Sequence, residues 1–273
     1  MTLKEAYDYG VYFLSANGVD EAEFKSLCLV CHLDGIKNSQ FEFYKSDEII
    51  MKRFADLLWR VKSGEPLQYV IGKWDFYESE FYVGKGVLIP RPETEELTDL
   101  AVKFAKKIKN PVVIDLCAGS GCIGISIAKA VKNSKVYLVE KSEDAFVYLK
   151  KNADSVNNTI LINEDLYNLP QIEKVDIIVS NPPYIKSNEI SSLQSEVLEE
   201  PIMALDGGVD GLEFYRFISQ NYKQYLKNGG RLLFEIGNEQ GEDVRSILMS
   251  NGYKDIEIKK DIYGNRRMAV ACI

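Results

Sequence analysis

The chain has 273 residues, of which 46% are hydrophobic and 27% charged, and its formal net charge is −8. This balance is typical of a globular protein, and the acidic excess argues against a protein that tracks nucleic-acid phosphates. A single histidine, His32, excludes histidine-rich metal sites, and five cysteines, an odd number, disfavour a disulfide framework. The chain lacks a signal-peptide pattern and any apolar run near the roughly 20 residues of a membrane helix. We therefore expect a cytoplasmic protein that binds no metal, membrane or nucleic acid directly, and we separately expect it to be a monomer.

Residues 1–73 carry apolar side chains at helical spacing in three stretches, residues 7–14, 24–31 and 49–61. Several short amphipathic helices in succession predict a small helical bundle, which we treat as one domain. Cys28 and Cys31 precede His32 in the pattern of haem attachment. Because they lie at helical spacing within an amphipathic segment, we interpret them as small core residues.

Residues 69–89 change character and are rich in strand-forming side chains, beginning with residues 69–71. Glycines separate the apolar groups, which predicts a short hairpin, and we assign residues 74–89 to a β-hairpin linker. Its aromatic side chains are interpreted as packing residues rather than as a recognition surface. The following segment, residues 89–96, places Pro92 and acidic residues where a helix begins, since both suit a first helical turn.

From residue 112 onward, short apolar strands alternate with helical stretches. The predicted strands are residues 112–116, 135–139, 159–162, 175–180, 231–235, 255–259 and 268–273. The first five have the continuous apolar character of strands buried on both faces, whereas the last two resemble an antiparallel pair. The pattern predicts a doubly wound, Rossmann-like α/β domain over residues 90–273.

A glycine-rich turn follows the first of these strands. Asp115 lies near the strand end, and residues 119–124 read G-x-G-x-x-G at the start of a helix. Glu140 ends the second strand, where a carboxylate can accept hydrogen bonds from both hydroxyls of a ribose. The pattern fits a dinucleotide dehydrogenase as well as an S-adenosylmethionine site. The carboxylate of Asp115 and the unbroken small residues at 117–121 favour S-adenosylmethionine.

The fourth strand runs directly into Asn181-Pro182-Pro183-Tyr184. Successive prolines cannot continue a sheet, so their carbonyl groups remain available as acceptors. The side-chain oxygen of Asn181 and the carbonyl of Pro182 can together accept both hydrogens of an –NH₂ group, and Tyr184 can stack on its planar π-system. Such contacts orient a weakly nucleophilic nitrogen toward a methyl donor. The motif therefore predicts methylation of a planar amide or amine nitrogen.

The residues by themselves do not identify the substrate that carries this nitrogen. An adenine N6 or guanine N2 methyltransferase of nucleic acid carries the same kind of motif, although the acidic net charge disfavours it. A nucleotide-binding protein without methyltransferase activity, either a dehydrogenase or a scaffold, is the alternative from another class.

A larger set of motifs resembles the bacterial release-factor glutamine methyltransferases over nearly the whole chain. The set comprises Glu65-Pro66-Leu67-Gln68-Tyr69-Val70-Ile71-Gly72, Leu88-Ile89-Pro90-Arg91-Pro92-Glu93-Thr94-Glu95, Asn181-Pro182-Pro183-Tyr184-Ile185, Glu200-Pro201, Ala204-Leu205, Gly207-Gly208 and Gly264-Asn265-Arg266-Arg267. The Ile-Pro-Arg-Pro-Glu-Thr-Glu run is the most specific, because Asn-Pro-Pro-Tyr is shared with adenine methyltransferases.

The resemblance implies a seven-stranded S-adenosylmethionine-dependent methyltransferase fold with a reversed last strand. It also implies a helical N-terminal domain that grips a protein substrate. The substrate would be the glutamine of the Gly-Gly-Gln motif in class-I peptide-chain release factors, methylated on its side-chain amide nitrogen N5 to modulate translation termination.

By position, the resemblance assigns cofactor binding to Asp115, Cys117, Ala118, Gly119, Ser120, Gly121, Glu140, Asp165, Leu166 and Asn181. It assigns substrate binding to Asn181, Pro182, Pro183 and Tyr184, and catalysis to Asn181, Pro182 and Tyr184. Cys117 stands where many relatives have glycine, and Leu166 where some have an aromatic residue that lies near the adenine. The second departure implies weaker stacking on the cofactor.

Overall fold

The computed structural model describes residues 1–168 and 170–273, which form two compact units. The first unit comprises residues 1–73 together with the short segment 195–199, and the second comprises residues 74–194 and 200–273. The helices are α1 (Leu3–Ala16), α2 (Ala22–Asp34), α3 (Phe41–Tyr44), α4 (Met51–Lys62), α5 (Leu67–Ile71), α6 (Pro92–Ala105), α7 (Cys122–Ala130), α8 (Glu143–Ala153), α9 (Ser195–Leu198), α10 (Glu213–Asn221) and α11 (Gly241–Ser250). The strands are β1 (Lys73–Phe76), β2 (Ser79–Tyr82), β3 (Val112–Leu116), β4 (Lys135–Glu140), β5 (Thr159–Asn163), β6 (Val175–Ser180), β7 (Leu226–Glu235), β8 (Lys254–Lys260) and β9 (Arg266–Cys272).

The first unit is a helical bundle, as the sequence predicted. Helix α1 begins with a capping box in which the Glu5 backbone N–H donates to Thr2 Oγ1 and the Thr2 N–H donates to Glu5 Oε2. Cys28 and Cys31 are buried in α2, and burial raises the pKa of Cys31 to about 11, so both thiols are packing groups. On the same helix, the nearly buried ammonium of Lys25 forms an ion pair with Glu196 of the 195–199 segment.

Residues 69–71 form helix α5, so the strand character predicted for them is wrong. Pro66 caps the start of this helix, and Gly72, with a φ of 80°, ends it after little more than one turn. The side chains of Tyr69 and Val70 are buried. Packing of this short turn therefore outweighs the strand propensity of its residues.

The second unit is built on a seven-stranded sheet with the order β5-β4-β3-β6-β7-β9-β8. Strands β3 to β7 pair in parallel, whereas β9 lies antiparallel between β7 and β8. The chain builds the sheet outward from β3 to β5 and then returns to place β6 on the other side of β3. The predicted Rossmann-like sheet with a reversed last strand is therefore confirmed, and β3 and β6 flank its topological switch point.

Both faces of the sheet are covered by apolar side chains, which is why its central strands have no polar alternation. On one face Val113, Leu138 and Val179 pack with residues of α6, α7 and α8. On the other face, Ile114 and Ile178 pack with residues of α10 and α11. The strand ends are thereby packed on both faces, and the loops that follow β3, β4, β5 and β6 emerge at one edge.

The β1–β2 hairpin groups with the second unit. Its side chains Phe76 and Phe81 are buried in one of the two cores, with their rings edge-to-face and 6.0 Å between centroids. Asn152 of α8 exchanges hydrogen bonds with the backbone of Tyr82 and also donates to the Ser120 carbonyl at 2.9 Å. The hairpin is thus tied to the glycine-rich turn, and residues 83–91 continue from it without helix or strand.

Candidate active site

A cavity opens at the carboxyl edge of the sheet, around the switch point between β3 and β6. Of the residues that the sequence assigned to the site, its lining includes Cys117, Ala118, Gly119, Ser120, Glu140, Asp165, Leu166, Asn181 and Pro183. These residues follow four different strands, and only the parallel order of the sheet brings them to one edge. Among the described residues, Asp115, Gly121, Pro182 and Tyr184 do not line the cavity.

The turn after β3 depends on three residues in the left-handed backbone region. Cys117 has a φ of 60°, Gly119 of 55° and Gly121 of 83°. A Cβ atom at Gly121 would lie 2.4 Å from Leu149 Cδ1, so glycine is needed there for packing as well as for conformation. A Cβ atom at Gly119 would meet nothing closer than Val87 at 4.0 Å, which leaves room for a ligand against the backbone. Cys117 carries backbone strain that a glycine at this position would avoid.

Asp115 stabilises this turn from the side that faces away from the cavity. Its side chain is fully buried, and Oδ2 accepts a hydrogen bond from the Gly124 backbone N–H at 2.9 Å. Among the described residues, no group donates to Oδ1. Burial raises the pKa of Asp115 to about 8, and the nearby charge of Glu140 adds to the rise. Asp115 therefore holds the start of α7 in place.

Glu140 connects the turn to the end of β4. Its Oε2 accepts a hydrogen bond from the Gly119 N–H, and its Oε1 accepts one from the Ser142 N–H, both at 2.7 Å. The carboxylate is 8% exposed, lines the cavity, and has a pKa raised by burial. A carboxylate has about four lone-pair sites, so it retains acceptor capacity for ligand hydroxyls.

The loop after β5 brings Asp165 and Leu166 to the cavity. Lys141 forms an ion pair with Asp165 at 2.7 Å. Leu166 is nearly buried, and its carbonyl accepts a hydrogen bond from the Tyr222 hydroxyl at 2.7 Å. Tyr167, the next residue, also lines the cavity, so an aromatic ring is present beside Leu166.

The loop after β6 brings Asn181 to the same cavity. Asn181 Nδ2 lies 3.3 Å from Thr94 Oγ1 in the first turn of α6. Among the described residues, none donates a hydrogen bond to Asn181 Oδ1. The arrangement therefore leaves the side-chain oxygen of Asn181 as an available acceptor.

The rest of the Asn-Pro-Pro-Tyr segment is held by groups behind the cavity. Pro182 and Pro183 are buried, and Tyr184 packs on the core that contains α10 and α11. The Gln240 side chain donates to the Tyr184 carbonyl at 2.9 Å. A Cβ atom at Gly207 would lie 2.7 Å from the Pro183 carbonyl oxygen, so the Gly207-Gly208 pair allows two backbones to lie in contact.

Other parts of the site were not predicted. Gly86 and residues 88–91, most of which were predicted to belong to the hairpin linker, line the cavity. Glu200 is buried and accepts hydrogen bonds from the Ile89 N–H at 2.9 Å and from the Arg91 guanidinium. Phe214 and Thr94 also line the cavity, and Thr94 lies between Asn181 and Glu235. The Ile89–Glu95 and Glu200-Pro201 motifs were signals of this arrangement, but sequence spacing does not show that they meet.

Within residues 1–168 and 170–273, no cluster of three or more side chains suited to a metal ion is found. Across the same residues, no helix has both the length and the apolar character required to cross a membrane.

Two family models match the chain. Residues 95–211 match the methyltransferase small domain, and residues 5–72 match the PrmC N-terminal domain. Among solved structures, the hMettl16 catalytic domain in complex with an RNA hairpin is similar in fold, with a TM-score of 0.56 and 15% identity, over 81% of this chain and 80% of that chain. The fold and the cavity define a methyltransferase of the class that uses S-adenosylmethionine.

The sequence comparisons narrow that class. The release factor glutamine methyltransferase of Thermodesulfovibrio yellowstonii is 40% identical over 252 residues, covering 89% of both chains. The corresponding protein of Clostridium acetobutylicum is also 40% identical, over 84% of this chain and 82% of its own. That of Fusobacterium nucleatum is 34% identical over 98% of this chain and 78% of its own. The chain belongs to the release factor glutamine methyltransferase family.

Proposed function

We propose that this protein transfers the methyl group of S-adenosylmethionine to the side-chain amide nitrogen (N5) of a glutamine in a peptide-chain release factor. The glutamine is that of the Gly-Gly-Gln motif of class-I release factors, and the modification modulates translation termination. The observation that carries this proposal is Asn181, whose amide nitrogen is engaged by Thr94 and whose side-chain oxygen is available beside the cavity.

The residues of the cavity fit S-adenosylmethionine. The open space at Gly119 admits a ligand to the backbone, and the Glu140 carboxylate lies where ribose hydroxyls can donate to it. The Glu140 carboxylate lines the cavity and provides an acceptor for such a ligand, whereas the buried Asp115 acts only through the turn that it holds in place. Leu166 and Tyr167 offer an apolar and an aromatic surface to the adenine, with Phe214 as a further aromatic wall.

When bound, the cofactor supplies an electrophilic methyl group on a sulfonium. The chain's part is to orient the glutamine amide, whose nitrogen lone pair is delocalised into the carbonyl. Asn181 Oδ1, at the cavity wall, accepts one amide hydrogen, and the carbonyl of Pro182, a residue that does not itself line the cavity, is the proposed acceptor of the other. The two contacts favour pyramidalisation of the nitrogen and turn its lone pair toward the methyl group. Such alignment is worth several kcal/mol. After transfer, the positively charged methylated nitrogen is strongly acidic and releases one proton to solvent water, so the reaction needs no strong general base before it.

The helical first unit is the proposed release-factor recognition domain, and residues 74–89 and 90–273 are the proposed hairpin linker and catalytic domain. Two side chains of the first unit support its role, because Tyr12 is 73% exposed and Trp59 54% exposed. Exposed aromatic residues of this kind are enriched in protein interfaces. Replacing both by alanine should raise KM for the release factor while the affinity for S-adenosylhomocysteine stays unchanged; an unchanged KM would contradict the recognition role.

The protein is proposed to act as a monomer in the cytoplasm, where release factors bind the ribosome, without direct binding to nucleic acid. The net charge of −8 supports the last point.

The decisive experiment offers several acceptors in parallel. The protein is incubated with S-adenosylmethionine labelled in its methyl group and with a class-I release factor, the same factor carrying alanine for the Gly-Gly-Gln glutamine, DNA, or RNA. We expect label only in the unaltered release factor, with one added methyl group on that glutamine by peptide mass spectrometry. Label confined to nucleic acid, or equal label in the alanine variant, would overturn the proposal.

A further inference from the structure

A chain of polar contacts runs behind the Asn181 side chain into the protein interior. The Thr94 hydroxyl lies 2.6 Å from Glu235 Oε2 and 3.3 Å from Asn181 Nδ2. Thr94 and Glu235 are each only 2% exposed. The hydroxyl therefore joins a buried carboxylate at the end of β7 to the amide at the end of β6.

The direction of these hydrogen bonds follows from the atoms involved. An ionised carboxylate can only accept, so the single proton of the Thr94 hydroxyl points to Glu235. The hydroxyl oxygen can then only accept from Asn181, and the only donor of a carboxamide is its nitrogen. With Nδ2 held in this way, rotation of the Asn181 amide that would exchange its nitrogen and oxygen is disfavoured.

We propose that Thr94 and Glu235 are positioning residues that hold the Asn181 carboxamide with its oxygen toward the substrate amide. This inference rests on the proposed function for the substrate that Asn181 receives. Neither residue contacts the reacting atoms in the proposal, and both act through the orientation of Asn181. An Asn181 rotated in the opposite sense would offer a donor to the two donors of an –NH₂ group.

The environment of Glu235 makes this orientation sensitive to protonation. Burial raises the pKa of Glu235 to about 7, which the Thr94 hydrogen bond and the charge of Arg267 on β9 oppose. Titratable or charged groups from several other elements also interact electrostatically with Glu235. They are Arg91, Glu93, Cys122, Tyr184 and Tyr215. A protonated Glu235 can donate to Thr94 Oγ1 and release the hydroxyl proton, which can then donate to Asn181 Oδ1, so the carboxamide is no longer held in a single orientation. Activity should therefore be lost as pH falls through the pKa of Glu235.

The positioning role of the Thr94 hydroxyl is tested by two substitutions at residue 94 and one control substitution. Thr94→Val removes it at nearly constant shape, and Thr94→Ser restores it. Thr98→Val makes the same exchange one turn along α6, where the buried hydroxyl donates only to the Thr94 carbonyl at 3.0 Å. We expect Thr94→Val to lower kcat about tenfold or more. KM and the affinity for S-adenosylhomocysteine should change much less, because valine keeps the shape of the cavity wall that Thr94 lines. Thr94→Ser and Thr98→Val should stay close to the wild type. A normal kcat in Thr94→Val, or an equal loss in Thr98→Val, would overturn the proposal.

The carboxylate is tested by the pH dependence of kcat. The wild type should lose activity below pH 7, whereas Glu235→Gln should lose this acid limb, because a glutamine side chain has no proton that titrates in this range. An acid limb that is the same in both proteins would overturn the role of Glu235.

A readout that needs no substrate separates this proposal from the proposed function. The side-chain amide signal of Asn181 in ¹⁵N-labelled protein is assigned by its loss in Asn181→Ala. We expect this signal to titrate near pH 7 in the wild type and not in Glu235→Gln, and to move in Thr94→Val. If the wild type methylates no release factor but the signal titrates as expected, only the proposed function fails. If the release factor is methylated but the signal ignores pH and both substitutions, only the positioning proposal fails.

Discussion

The backbone N–H of Gly119 donates a hydrogen bond to the Glu140 carboxylate across 2.7 Å, which joins the turn after β3 to the end of β4. The second carboxylate oxygen is held by the Ser142 N–H at the same distance. One buried side chain therefore shapes the loop and also faces the cavity, so a ligand meets an acceptor that is already oriented. Pre-orientation of this kind reduces the entropy lost on binding.

We expect Glu140→Ala to weaken the binding of S-adenosylhomocysteine by about tenfold or more. A hydrogen bond to a charged group contributes about 1.5–3 kcal/mol, and every 1.4 kcal/mol corresponds to a factor of ten. Isothermal titration calorimetry measures the effect. The control is Glu143→Ala, which removes the same charge from an exposed position three residues later that does not line the cavity. Equal affinities for the two variants would remove Glu140 from the cofactor site.

We expect Asn181→Ala to keep the fold and most of the affinity for S-adenosylhomocysteine while lowering kcat by about 100-fold or more. Loss of one oriented hydrogen-bonding group at a reacting centre has an effect of this size. Circular dichroism and calorimetry check the fold and the binding, and a release-factor methylation assay measures kcat. Turnover close to that of the wild type would show that Asn181 has no part in the reaction.

The contact between Gly207 and the Asn-Pro-Pro-Tyr segment predicts that Gly207→Ala impairs catalysis. The new methyl group would lie 2.7 Å from the Pro183 carbonyl oxygen and 2.7 Å from Tyr184 Cα, so the segment must shift. Because a displacement of about 1 Å at a reacting centre can reduce the rate about 100-fold, we expect a large fall in kcat.

Gly264→Ala is the matched control for this loss. Gly264 has a φ of 88°, and a Cβ atom there would meet no other atom within 4 Å, so alanine costs stability without touching the site. Methylation assays should separate the two variants, with kcat reduced only for Gly207→Ala. A similar kcat in both would mean that the close contact does not matter to the reaction.

The left-handed backbone of Cys117 predicts an unusual gain on substitution by glycine. A side chain in this region costs about 1–2 kcal/mol, so Cys117→Gly should raise the free energy of unfolding by about 1 kcal/mol after the lost packing is counted. Cys272→Gly, in strand β9, should lower it by a similar amount, since glycine weakens a strand. Denaturant unfolding of both variants gives the comparison, and a loss of stability in Cys117→Gly would contradict the strain.

The buried carboxyl of Asp115 predicts a characteristic dependence of stability on pH. Its pKa is raised by burial to about 8, far above the roughly 3.9 of an unfolded aspartate, so the folded state holds a proton that the unfolded state releases. Stability from this group is present at low pH and is lost as pH rises to about 8, at up to about 1.4 kcal/mol per pH unit.

Asp115→Asn removes this titration and can still accept the Gly124 N–H hydrogen bond. The difference in unfolding free energy between wild type and variant should therefore fall from pH 5 to pH 8 and level off above it. Denaturant unfolding across this range measures the difference. A difference that stays constant with pH would mean that Asp115 is ionised throughout.

Much of the site was predictable because its residues are local in sequence. The turn at residues 117–121 and the Asn-Pro-Pro-Tyr segment each follow a strand directly, and a parallel sheet brings such strand ends to one edge. The left-handed conformation of Cys117 was visible only as an unusual residue at a glycine position. Residues 69–71 were predicted wrongly, because their strand propensity is a weak preference that burial in helix α5 overrides.

The class of fold, the cofactor type and the family could all be predicted from the amino-acid sequence, since they depend on strand periodicity, short motifs and their order along the chain. The side chains that stand behind the motifs became visible only in the folded protein. Thr94 forms hydrogen bonds with Glu235, which is 141 residues away in the sequence, and with Asn181, which is 87 residues away. Glu200 likewise accepts a hydrogen bond from Ile89, 111 residues away. Contacts at such separations depend on how helices pack on the sheet, and hydrophobic periodicity carries no information about which polar atoms will then face each other.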